Sequence, residues 1–210
     1  MDLYKMSLWQ SLIAGGPLMW PILFCSIFAL AIVMEKTVFF HKISIDIPEL
    51  LGKILDQMKR HDTKEALKIC DENPGPIANI LKAGILKYDR PRQQIIEAIE
   101  DASLYEVPRL QKNLSALATI AHIAPLLGLL GTATGMVRAF QAIQVKAAGS
   151  LPILPQDLSG GVWEAILATV AGLVVAIPSF VAYNYLVSRV NNFILEMEKA
   201  STELVNFLTE

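Results

Sequence analysis

Three stretches of this chain carry no Asp, Glu, Lys or Arg, and each is long enough to cross a lipid bilayer. They are residues 6–34, 113–137 and 165–188, with lengths of 29, 25 and 24. A helix rises about 1.5 Å per residue, so roughly 20 residues span the ~30 Å hydrocarbon layer. Core helices of soluble domains are usually shorter and keep a polar face. The pattern predicts an all-α integral membrane protein with three transmembrane helices and long cytoplasmic helical extensions. The first stretch also exceeds the about 7–15 apolar residues of a signal-peptide core, so it is expected to stay as an anchor.

The hydrophobic content of 53% hides this unevenness, because 24 of the 38 charged residues fall between His41 and Lys112, 12 of each sign. A net charge of -2 argues against nucleic-acid binding, which needs many phosphates neutralised. Cys25 and Cys70 offer neither a disulfide framework nor a C-x-x-C pair for zinc or redox work, and both read as buried thiols. No metal site, cofactor site or catalytic set is expected: Ser-His-Asp, phosphate-loop and metal-ligand spacings are all missing.

The chain divides into an outer amphipathic segment (1–15, with Leu3, Met6, Trp9 and Leu12), a first span (16–40), a cytoplasmic helical region (41–112) and a second span (113–141). A periplasmic loop (142–160), a third span (161–187) and a cytoplasmic C-terminal helix (188–210) complete it. Lys36, Lys42, Arg109, Lys112 and Arg189 flank the spans on one side, while the 142–160 loop holds only Lys146. That asymmetry puts the charge-rich region and the C-terminus in the cytoplasm and the N-terminus outside.

Within residues 41–112, proline and glycine breaks separate helices. One helix is expected from near Pro48 toward Arg60. Asp62 or Thr63 then caps a second, which ends at Asn73-Pro74-Gly75-Pro76. A third is expected at about residues 77–88. After Pro91 the pattern is helical up to the second span, interrupted only by Pro108.

The first span is bulky all round, which suits lipid. The second instead aligns Ala121, Gly128, Gly131, Thr132, Gly135, Ala139 and Ala142 at spacings of three and four, and the third does the same with Ala165, Ala168, Thr169, Gly172, Ala176 and Ser179. Small residues permit close helix approach, so these two spans are expected to make the inner protein contacts. Counting inward from Gln141 and Gly161 puts Thr132 and Thr169 at one level, nine and eight residues in, or about 12–14 Å deep. Pro125 with Pro178, and Arg138 with Glu164, also fall level and leave room for a shared kink and an outer-mouth ion pair. Two readings fit the threonines: an ion path, or hydroxyls bonded to their own backbone. Two also fit the charged residues: a pair, or Arg138 reaching the headgroups while Glu164 caps its helix. His122 reads as a hydrogen-bonded structural residue rather than a proton relay.

Three segments carry a family resemblance: GPLMWPIL at 16–23 with Glu35, APLLGLLGTATGMVRAF at 124–140, and WEAILATVAGLVVAIPSFVAYN at 163–184. They resemble the MotA/TolQ/ExbB proton-channel family over nearly the whole chain. Three spans look like its ExbB and TolQ branches, since the MotA branch has four. The resemblance implies a bacterial inner-membrane homopentamer around a dimer of single-span ExbD/TolR-like subunits, with proton flow driving rotation that a TonB/TolA-like protein carries toward the outer membrane. It assigns Thr132 and Thr169 to the pore lining and Glu164 to the third-span glutamate. At position 138 it implies an uncharged residue, where this chain has Arg138.

The residues themselves give one part of this mechanism independently. A proton path needs a titratable carrier near midplane, and the spans contain no Asp and only Glu35 and Glu164, each near a span end. A partner carboxylate, such as an ExbD-type Asp, is therefore expected, with threonine hydroxyls orienting it. A structural membrane scaffold and a stand-alone channel or transporter are the alternatives.

Overall fold

Helices account for the architecture of the computed structural model, which describes residues 13–43, 47–150, 152 and 154–209; no strand occurs among them. The expected amphipathic segment falls mostly on residues 1–12, outside the described residues. The helices are α1 (Met19–Ile43), α2 (Ile47–Lys59), α3 (Thr63–Glu72), α4 (Pro76–Ile85), α5 (Arg92–Gln111), α6 (Leu114–Ala148) and α7 (Pro155–Leu208). Three helical stretches, containing α1, α6 and α7, are long and apolar enough to cross a membrane. Two compact units arise, one from residues up to 34 with 113–184 and the other from 35–112 with 185 onward.

In the first unit, α1 leaves Phe24, Ile27, Phe28 and Leu30 exposed and buries Met19, Ile22 and Ala29, while Cys25 is only partly buried. The bulky faces of α6 and α7 are likewise exposed at Leu126, Leu129, Val170 and Val174. Beyond Leu114 and Leu117 at the start of α6, the buried positions are small ones: Ala121, Ala124, Gly128, Gly131, Gly135 and Ala139 in α6, against Ala165, Ala168, Gly172 and Ala176 in α7. Backbones approach closely enough that a methyl group at Gly172 would lie 2.6 Å from the Ala124 carbonyl, and one at Gly135 2.6 Å from that of Gly161. Pro125 and Pro178 lie inside α6 and α7, both of which continue past them. Only residues 149–154 connect the two, so the helical part of the pair extends well into the expected 142–160 loop. Asp157 secures this connection by accepting from Lys146 Nζ at 2.6 Å and from the Leu154 amide at 2.8 Å.

In the second unit, Asp62 caps α3 by accepting from the Glu65 amide at 3.1 Å. Pro76 opens α4 as its first residue, where a missing N–H costs nothing. That helix stops at Ile85 rather than near Tyr88, and turns carry the chain through residues 86–90. Leu50, Ile54, Ile80, Leu81, Ile85 and Ile95 form the buried interior. The end of α7 joins it through Leu186, Val190, Phe193, Met197, Ala200 and Leu204, an alternating four-three spacing that keeps one seam buried. Phe193 stacks on Phe40, with ring centroids 5.7 Å apart.

Pro108 does not interrupt α5; the break before the second span falls at Asn113, whose φ of +65° is left-handed. Asparagine tolerates this conformation and commonly ends helices in it. The carbonyls freed at the end of α5 are taken by Lys36, which is buried and donates to Leu110 O at 3.1 Å and Arg109 O at 3.4 Å. Its ammonium also lies 5.1 Å from the Phe39 ring centroid. A buried lysine therefore caps the end of α5.

Candidate functional site

The two threonines lie on the small-residue seam between α6 and α7, which run antiparallel. Gly128 faces Ala168 and Thr169, and Gly135 faces Ala165 and Gly161. Because neither glycine has a side chain, the facing helix comes near enough for Thr169 Oγ1 to donate across the seam to the Gly128 carbonyl at 3.1 Å. Its own Ala165 carbonyl is a second acceptor at 3.3 Å. Thr132 Oγ1 donates within α6 to Leu129 O at 2.7 Å and lies 3.5 Å from the same Gly128 carbonyl. The Gly128 carbonyl thus anchors the Thr169 hydroxyl and lies beside that of Thr132, which is held by Leu129. Gly128 had suggested only packing from sequence; its carbonyl is exposed to a partner because the adjacent side chain is missing.

Both threonines are half-buried, at the rim of the seam rather than sealed within it. A hydroxyl that donates to a carbonyl still has lone pairs to accept with. The arrangement can therefore orient a proton-carrying group brought against the rim, although it contains no group that carries a proton itself.

Toward the 149–154 connection, Arg138 Nη1 donates to Glu164 Oε1. The two side chains are unequally sheltered: Arg138 is 47% exposed and Glu164 only 16%. The carboxylate also rests against Gly16, whose φ is +77°, so closely that an added Cβ would overlap Oε1. No sequence argument singled out Gly16, though the Gly15-Gly16-Pro17 run before α1 marks a tight turn.

His122 lies apart from these groups. Its Nδ1 is 2.7 Å from the Ala118 carbonyl one turn back, and its ring meets the edge of Phe180 at 5.9 Å. Gly131 packs on Ala168, which continues the seam between Gly128 and Gly135. Among the described residues, no cluster of three His, Cys, Asp or Glu side chains has the geometry to hold a metal ion.

Known proteins share this arrangement of sequence. The profile of the MotA/TolQ/ExbB proton channel family matches residues 72–199. Over 186 residues the chain is 28% identical to a protein named as a biopolymer transport ExbB homolog in Methanothermobacter thermautotrophicus, with 88% of this chain and 64% of that protein aligned. Over 175 residues it is 32% identical to a protein named as biopolymer transport ExbB-like 1 in Synechocystis, covering 83% of this chain and 68% of the relative. A shorter match of 86 residues, 40% identical, joins it to the Tol-Pal system protein TolQ of Haemophilus influenzae over 41% of this chain and 36% of that one. The chain therefore spans about two thirds of the length of the first two relatives. From the profile match and these relatives, the chain is a multi-pass membrane protein that belongs to the MotA/TolQ/ExbB proton channel family, in its ExbB/TolQ-like branch.

Proposed function

We propose that this chain is the stator-like, multi-copy subunit of an inner-membrane motor of the ExbB/TolQ type. With an ExbD/TolR-like single-span partner it converts proton-motive force into work on the envelope or on outer-membrane transport. The chain forms a homopentamer around a partner dimer, with its N-terminus in the periplasm and its C-terminus in the cytoplasm. Each partner helix supplies an Asp that the half-buried Thr132 and Thr169 hydroxyls orient. Glu164, paired with Arg138, stands at the outer mouth.

The observation that carries this reading is the placement of two rim hydroxyls around the Gly128 carbonyl, Thr169 bonded to it and Thr132 beside it, in spans that hold no midplane acid. A self-sufficient channel would need its own carrier, and a passive scaffold would have no use for hydroxyls oriented at the rim. Each proton crossing releases about 2.3 kcal/mol per 100 mV of membrane potential, enough to bias a step between packed helices. Names of the relatives, which include biopolymer transport and Tol-Pal functions, fit the same task.

Native mass spectrometry of the full chain, purified with and without an ExbD/TolR-like protein from the same organism, tests the assembly. Five copies with two of the partner support it. A complex lacking the partner under conditions that preserve related assemblies would overturn it.

A further inference from the structure

The contact between Gly16 and Glu164 brings the turn before α1 onto a carboxylate carried by α7. Three features make it more than incidental packing. Gly16 is left-handed, with a φ of +77°, a conformation that L side chains seldom adopt. A side chain there would also strike Glu164 at Oε1 and Cδ, so the backbone favours glycine and the available space requires it. Finally, the same Oε1 accepts from Arg138 on α6, so two other chain segments converge on one carboxylate oxygen of α7.

We propose that Gly16 is a positioning residue for Glu164: the turn leading into the first span and Arg138 together form a seat that covers the carboxylate and fixes its direction. This rests on the reading of Glu164 as part of the ion path. In that setting the first span is more than a lipid-facing support, because its leading turn limits when Glu164 can meet a proton or water. Arg138 supplies the counter-charge that makes a sheltered carboxylate tolerable. Gly16 supplies the close backbone approach, which a Cβ would prevent.

Carbodiimide modification of Glu164, read by mass spectrometry on the full chain assembled in membranes, tests the seat without relying on proton flow. Gly16→Asn is the informative variant, since Asn tolerates the left-handed backbone and adds only the obstructing side chain. It should raise the modification rate at Glu164 by about threefold or more, and Arg138→Gln should raise it too. Gly160→Ala, where an added Cβ meets nothing within 4 Å, should leave the rate unchanged. Equal rates in wild type and Gly16→Asn would overturn the proposal, even with proton-driven work intact. If Gly16→Asn fails to assemble, Glu164→Asp tests the same contact, because its shorter side chain withdraws from the added group. Recovery of assembly in the double variant supports the seat, and no recovery overturns it. Absence of proton flux from the wild-type assembly, with these labelling differences present, would instead count against the motor reading alone.

Discussion

Thr169 reaches across the helix pair to donate to the carbonyl of Gly128 at 3.1 Å, while Thr132 lies 3.5 Å from that same oxygen. Together they place two hydroxyls at the rim of a seam otherwise built from glycine and alanine. A net hydrogen bond of this kind contributes only about 0.5–1.5 kcal/mol to stability, so its loss should not prevent assembly. Replacing Thr169 by Val keeps the branched shape and removes the hydroxyl. Partner-dependent proton flux should then fall by about tenfold or more, a barrier change of about 1.4 kcal/mol, while Thr169→Ser retains most of it. Flux assays at matched complex content check both variants; full activity of Thr169→Val and Thr132→Val would remove the threonines from the path.

Close packing predicts opposite outcomes for two glycines. A Cβ at Gly135 would lie 2.6 Å from the Gly161 carbonyl and 2.9 Å from the Ala165 amide nitrogen, backbone atoms that cannot swing aside. Gly135→Ala should therefore destabilise the folded protein by about 1–3 kcal/mol. At Gly52, within α2, an added Cβ meets nothing within 4 Å. Gly52→Ala should stabilise by about 0.5–1 kcal/mol through helix propensity alone. Thermal unfolding in detergent compares the two.

Lys36 is expected to hold the α5 terminus in place. Lys36→Met preserves much of the side-chain volume and leaves the Arg109 and Leu110 carbonyls without their donor. The cost should be about 1–3 kcal/mol, with faster proteolysis near Asn113. Lys36→Arg should recover part of the loss, and a Met variant as stable and protease-resistant as wild type would show that the cap is dispensable.

Burial pushes the Cys70 thiol up to about 11, with Asp71 adding to the effect. Since the thiolate is the reactive form, labelling at pH 8 should be about 100-fold slower than for an exposed thiol near pKa 9. The sign for stability follows: the folded state holds this proton more tightly than the unfolded chain. The contribution is complete below about pH 9 and is lost as pH rises toward 11. Maleimide labelling of Cys70 across that range, with and without denaturant, measures both effects.

Much of the architecture was legible because it depends on local rules. Charge-free runs define the apolar helices, Asp62 announces the start of α3, and the Asn73–Pro76 break separates α3 from α4. The small-residue stripes also marked the facing sides of α6 and α7, but the count from the loop ends missed the register by about one turn: Thr169 lies opposite Gly128 rather than level with Thr132. Features set by distant partners were not readable in the same way. Lys36 resembled an ordinary interfacial charge until the α5 terminus folded against it. Asn113 broke the expected continuous helix through a left-handed backbone that polar residues tolerate but do not announce. The seam from Leu186 to Leu204 is legible in its four-three spacing, although it lies past the small-residue stripe of the third span. Gly16 gained its meaning only from the carboxylate placed against it.

Proton flux into vesicles, driven by an imposed membrane potential, tests the central claim most directly. The full chain reconstituted alone should pass no more protons than empty vesicles. Added ExbD/TolR-like partner should open the path, and replacing that partner's span Asp by Asn should close it again. Flux from this chain alone equal to that of the complex would contradict the account.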